Sequence, residues 1–167
     1  MALRYTSTLL ISSALLLAAC GESSQPPTVD STASDADRYV TTLSMHDLME
    51  DVLEPVADSL WRSAGWIDDV EEGYYELYPT TDEGWENVRQ QAGLIVELGN
   101  SLALPGRRED DDAWLTYSRA MSEVGLQAME AAQRQHEEDI FQAGARLYSV
   151  CNACHLAYNP EIGRFFD

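Results

Sequence analysis

Cys151-Asn152-Ala153-Cys154-His155 constrains this 167-residue chain more than any other segment. It lies in a stretch where Ile140, Gly144, Leu147, Cys151, Cys154 and Tyr158 recur every three or four positions. That spacing is one face of an α-helix. At i and i+3 the two thiols stand one above the other on that face, and the imidazole follows directly. Whatever the fold, it has to bring an apolar wall against this helix face while leaving the thiols and the imidazole something to hold.

Three further segments carry helical stripes. Ser44 with Asp47 reads as a variant capping box that opens a helix with Met45, Leu48, Met49, Val52, Val56 and Leu60 inward. Pro55 lies inside this helix and is expected to kink it; Gly65 is the expected stop. The acidic, aromatic connection from Trp66 to Pro79 shows no alternation of period 2, so no strand is expected there. Thr80 with Glu83 reads as a second capping box, followed by Trp85, Val88, Ala92, Ile95, Gly99 and Leu102, and ended by Pro105-Gly106. The acids Glu109 to Asp112 suit the positive end of a third helix, with Trp114, Tyr117, Met121, Val124, Ala128 and Ala131 inward. A calcium site at those acids is the weaker reading. Glu137-Glu138-Asp139 begins the fourth helix, with His136 at the preceding junction facing water. Loops too short for crossovers predict an all-α domain, an antiparallel up-down-up-down four-helix bundle, over residues 39–167.

Cys-x-x-Cys-His is the attachment motif of c-type haem, in which the thiols form thioethers and the histidine reaches the iron. A zinc site would draw on His46 and His136 as further ligands, and a thioredoxin-like dithiol would need a strand before the motif; neither fits the pattern. The cysteine count agrees with haem. Of three cysteines, two belong to the motif. The third, Cys20, ends Leu17-Ala18-Ala19-Cys20 after an apolar stretch from Leu9, too short to span a membrane and suited to a secretory signal.

These motifs carry two resemblances. The segment before Gly21 resembles a bacterial lipobox. This implies a signal peptide over residues 1–19, a lipidated Cys20, and a periplasmic protein anchored in the membrane, with Gly21 favouring the outer one. Residues 20–38, rich in Ser, Pro, Thr and Asp, then read as a flexible tether. A Cys-x-x-Cys-His on the last of four helices, followed by Tyr158, resembles the cytochrome c-prime family, the class II c-type cytochromes, over roughly Tyr39 to Arg164. The resemblance implies one covalent haem c on Cys151 and Cys154 with His155 as proximal ligand. It also admits a homodimer, since members often pair through their first two helices. Asn159 stands where many members carry Arg or Lys, so the family's gas-binding behaviour does not carry over directly.

The second axial position separates the functions. The first helix of an antiparallel bundle begins at the end where the fourth finishes, so Met45, His46 and Met49 are the near candidates. Met49 is the preferred ligand: it shares the inward stripe with Met45 but sits a turn deeper, and His46 lies off the stripe. A Met49 ligand suits a one-electron carrier. An open iron with no protein ligand suits binding of NO or CO. A peroxidase-like enzyme would need a distal acid–base pair, for which only His46 offers an imidazole, so no enzymatic activity is expected. Trp61, Trp66, Trp85 and Trp114 read as packing residues. The formal charge of −19, with ten basic residues that are all Arg, repels nucleic acid and would steer in redox partner proteins with a basic docking face; adaptation to salt or solubility accounts for it equally well.

Overall fold

Pro55 has no backbone N–H, and its ring collides with the carbonyl four residues back, so a regular α-helix through it is costly. In the computed structural model, which describes residues 38–163, the chain widens instead. Helix α1 (Met45–Asp47) runs into a π-helical segment, Leu48–Leu53, and on into α2 (Glu54–Trp61), with Pro55 in its first turn. The Glu54 N–H donates to the Met49 carbonyl, five residues earlier. The inward face therefore advances by five at this point: Leu48 and Leu53 are both buried, followed by Ala57 and Leu60. The stripe drawn at constant spacing holds Leu48 and Leu60 but names Val52 and Val56, which are only half-buried, in place of Leu53 and Ala57. Ser44 caps this run as expected, its Oγ accepting from the Asp47 N–H at 3.1 Å. Residues 1–37, with the expected signal, Cys20 and nearly all of the tether, lie outside the described residues.

A short antiparallel hairpin follows, which the sequence reading did not contain. β1 (Trp66–Asp69) pairs with β2 (Gly73–Glu76). The Asp69 Oδ1 accepts from the N–H groups of Glu71 and Glu72 at 2.9 and 2.6 Å, and Gly73 takes φ +75°, a conformation that favours glycine. Both faces of the hairpin are largely exposed. No apolar–polar alternation therefore marks it in sequence, and only the turn chemistry of Asp69 and Gly73 signals it.

Three long helices complete the structure. α3 (Asp82–Leu102) buries Trp85, Val88, Ala92, Ile95, Gly99 and Leu102, all six residues of the expected stripe. Its cap is Thr81, one residue later than expected. Thr81 Oγ1 accepts from the Gly84 N–H at 3.1 Å, and Pro79 packs so closely that a Cβ on Gly84 would lie 2.9 Å from the Pro79 Cβ. α4 (Ala113–Gln133) lies along α3, and α5 (Glu137–Tyr158) lies along α4 and touches α2; α6 (Pro160–Gly163) is a final turn. His136 caps α5: its Nδ1 accepts from the Asp139 N–H at 3.2 Å, and the acids Glu137 to Asp139 occupy the first turn. The described residues are thus mostly helical with one small two-stranded sheet. Among the described residues no helix is long and apolar enough to cross a membrane.

The α3–α4 contact is a backbone approach. A Cβ on Gly125 would come within 2.9 Å of the Val96 N and 3.0 Å of the Ala92 O, and the Ser122 hydroxyl donates to the Val96 carbonyl at 2.8 Å. Gly125→Ala should destabilise the fold by about 1–3 kcal/mol, because main-chain atoms have to move. Gly93→Ala, whose Cβ would make ordinary contact with Met129 at 3.7 Å, should be neutral or stabilising by up to about 1 kcal/mol. Urea denaturation of the two variants checks the contrast.

Candidate cofactor site

The far end of α5 meets the π segment, the end of α3 and the start of α4 around an apolar cavity of about 40 Å³. Cys151, Cys154 and His155 form the α5 wall; Met49 and Leu53 face the cavity from the π segment; Leu102, Trp114 and Met121 add apolar surface from α3 and α4. Both thiols are free. Burial, with Cys154 nearby, pushes the Cys151 thiol up to about 11, and burial raises the Cys154 thiol as well. Burial also lowers the His155 imidazole, whose Nδ1 is enclosed without a hydrogen-bond partner, as is the Asn152 Oδ1. All three groups are therefore neutral near pH 7 and face apolar surroundings.

A second set of contacts pins this end of α5. The Tyr158 hydroxyl donates to the Asp110 carboxylate. The Tyr158 ring meets Trp114 edge-on, with centroids 4.9 Å apart, and Tyr117 at 6.3 Å. Asp110 Oδ1 in turn accepts from the Asp112 and Trp114 N–H groups at 2.8 and 3.0 Å, and the Trp114 Nε1–H donates to the Leu102 carbonyl at 2.8 Å. The acidic run thus serves the start of α4, as its composition implied, through Asp110. Among the described residues no three His, Cys, Asp or Glu side chains converge as a metal-binding group.

The cavity contains Met49, the preferred distal candidate, on the wall formed by the π segment. Met45 is half-buried and packs against the core outside the cavity lining. His46 is exposed, 3.7 Å from Asp47 and 3.5 Å from Glu50. The Asn159 N–H donates to the His155 carbonyl at 2.8 Å, closing α5. Trp85 and Trp114 are buried. Trp61 donates its Nε1–H to the Gly144 carbonyl at 3.0 Å, whereas Trp66 lies on the hairpin and is mostly exposed. Sequence reasoning missed Leu53, because the π turn shifts the face. It also missed the Asp110–Tyr158 pair, whose members are 48 residues apart.

The donor set suits a group that takes two thiols and an imidazole from one helix face: the thiols are free, an imidazole nitrogen lacks a partner and the walls are apolar. The volume sets a condition. At about 40 Å³ the cavity is far smaller than the roughly 300–1,000 Å³ of a ligand pocket, so a tetrapyrrole enters only if its walls part. No family model, curated protein or solved structure gives a significant match to this chain.

The Asp110–Tyr158 pair gives a pH signature. Its hydrogen bond to Asp110, with burial second, pushes the Tyr158 phenol up to about 12, and the Tyr158 hydroxyl is the largest influence holding the Asp110 carboxyl below its usual value. A phenol raised in the folded state stabilises the fold below its ordinary ionisation near pH 10, and this is lost as pH rises through the folded value. A carboxyl lowered in the folded state stabilises it above the ordinary carboxylate range, and this is lost as pH falls through the folded value. The absorbance titration of the wild type minus Tyr158→Phe should show one tyrosine ionising near 12, returning toward 10 in Asp110→Asn.

Proposed function

We propose that this chain is a mono-haem c-type cytochrome of the class II kind, a membrane-tethered periplasmic carrier of single electrons and not an enzyme. The observation that carries the reading is the cavity in which Cys151, Cys154 and His155 on one wall share apolar surroundings with Met49 on the other. In this reading α1 to α2, α3, α4 and α5 form an antiparallel four-helix bundle, with the cofactor at the end where α5 finishes and α1 begins.

The roles follow from the residues. Cys151 and Cys154 would hold the group covalently, and fixed attachment matters where lost haem is not readily replaced. His155 would supply the proximal nitrogen, and the Asp110–Tyr158–Trp114 contacts keep the helix end that bears it from fraying. Bound haem would supply an iron that changes by one electron. Met49 would give that iron a thioether ligand, which holds coordination constant through the change and keeps reorganisation small. Leu53, Leu102, Trp114 and Met121 would exclude water. The lipobox at Cys20 would tether the domain outside the cytoplasm. The formal charge of −19 would favour redox partners with basic docking faces.

Electronic and resonance Raman spectra of the protein purified after expression with a cytochrome maturation system test the reading. It predicts one haem that survives denaturation and is lost in the Cys151→Ser, Cys154→Ser double variant. It also predicts a low-spin six-coordinate iron in both oxidation states, turning high-spin in Met49→Ala. A high-spin five-coordinate iron, unchanged in Met49→Ala, would favour the NO- or CO-binding alternative. A protein with no haem would sink the proposal.

A further inference from the structure

The hairpin takes no part in the cavity and exposes side chains that a fold normally covers. Its register sets Trp66 opposite Glu76 and Asp68 opposite Tyr74, and residues two apart on a strand share a face. One face therefore carries Trp66, Asp68, Tyr74 and Glu76, with ring and carboxylate alternating along each strand and across the pair. Directly opposed side chains on such a ladder start about 4.5–5.5 Å apart at Cβ, close enough for one small group to touch a ring and a carboxylate together. Trp66 is 58% exposed and Tyr74 61%, and Val70 at the turn is entirely exposed.

These rings are held in place. Trp66 stacks on Phe141 of α5, with centroids 6.0 Å apart and planes 21° from parallel, which fixes it while more than half of it stays open. The Tyr74 hydroxyl donates to Glu76 Oε1 at 3.3 Å. Between Trp66 and Glu76 the chain places Asp68, Asp69, Glu71, Glu72 and Glu76 and no basic residue. Phe141 lies fourteen residues before His155 on α5, about 21 Å along the helix, so the hairpin sits at the end away from the cysteines.

We propose that this hairpin face is a docking surface for a basic protein partner that presents arginine. A guanidinium stacks flat on an exposed indole or phenol ring while its N–H groups reach flanking carboxylates, which matches rings and acids alternating over a few ångströms. Charge selects among occupants. A second copy would bring its own Asp68 and Glu76 against the same two carboxylates, with the other three acids of the hairpin nearby. Nucleic acid or an anionic bilayer would add phosphate to a protein of formal charge −19. An ammonium group matches the acids but lacks the planar stack, so arginine is preferred over lysine. The proposal does not depend on the cofactor reading.

Titration of the ¹⁵N-labelled full chain with hexa-arginine, and separately with hexalysine, tests it at about 150 mM salt, where charges more than about 8 Å apart are screened. Saturable shifts should centre on the Trp66 indole N–H and the amides of residues 66–76, with hexa-arginine the tighter ligand. The Trp66→Ala, Tyr74→Ala pair should weaken it about tenfold or more, the combined effect of two cation–π contacts. Asp68→Asn with Glu76→Gln, which leaves both rings in place, should weaken it comparably. Circular dichroism should show both variants as helical as the wild type. Shifts spread over the acidic helix faces, equal affinity for the two peptides, or full affinity in both paired variants would overturn the proposal. So would a dimer that dissociates in Trp66→Ala, Tyr74→Ala without any peptide-induced shift in the hairpin.

Discussion

Two partly buried thiols and an enclosed imidazole nitrogen face apolar side chains at one end of α5, and the rest of the structure is arranged around them. A buried polar group without a partner costs about 1–3 kcal/mol, and the His155 Nδ1 has none. Burial raises the Cys151 thiol to about 11, so it is protonated near neutral pH. A purely structural helix end would more economically carry leucine or alanine at these positions. In the proposed reading, a group that bonds to the two sulfurs and the imidazole would take up these atoms.

The rest of the structure keeps that helix end in position. Asp110 organises the start of α4 through its backbone amides and accepts the Tyr158 hydroxyl. Trp114, whose indole N–H is committed to the Leu102 carbonyl, supports the Tyr158 ring and lines the cavity. The opposite wall depends on Pro55. The π segment that accommodates it turns Leu53 inward alongside Met49. π segments recur at functional sites, where they re-aim side chains at a cost in backbone regularity, and here the irregularity falls beside the cavity.

The buried face of α3 was legible in full, because its stripe has one period and no proline. The first helical run was legible at Leu48 and at Leu60 but not between Met49 and Leu60. There the π turn advances the face by five residues, and a reading at constant spacing names Val52 and Val56 instead of Leu53 and Ala57. The hairpin escaped because its sides are nearly equally exposed, which removes the alternation that marks a half-buried strand. The cap at Thr81 was misplaced by one residue, since the packing of Pro79 on Gly84 decides it and not the Thr80–Glu83 spacing. That Met49 would lie near Cys151, Cys154 and His155 could be read from the order of the helices, and all four line one cavity. The Asp110–Tyr158 pair could not, because a tertiary contact across 48 residues leaves no local pattern.

In the proposed reading, Cys151 and Cys154 are bound by one haem. Intact-mass analysis of the protein denatured after export-competent expression, followed by fragmentation of the peptide spanning Leu147 to Tyr158, tests it most directly. The expected result is a chain heavier by one haem, with the added mass localised to Cys151 and Cys154 and resistant to acid acetone extraction. A chain at its unmodified mass, with both thiols free to alkylate under the same conditions, would contradict it.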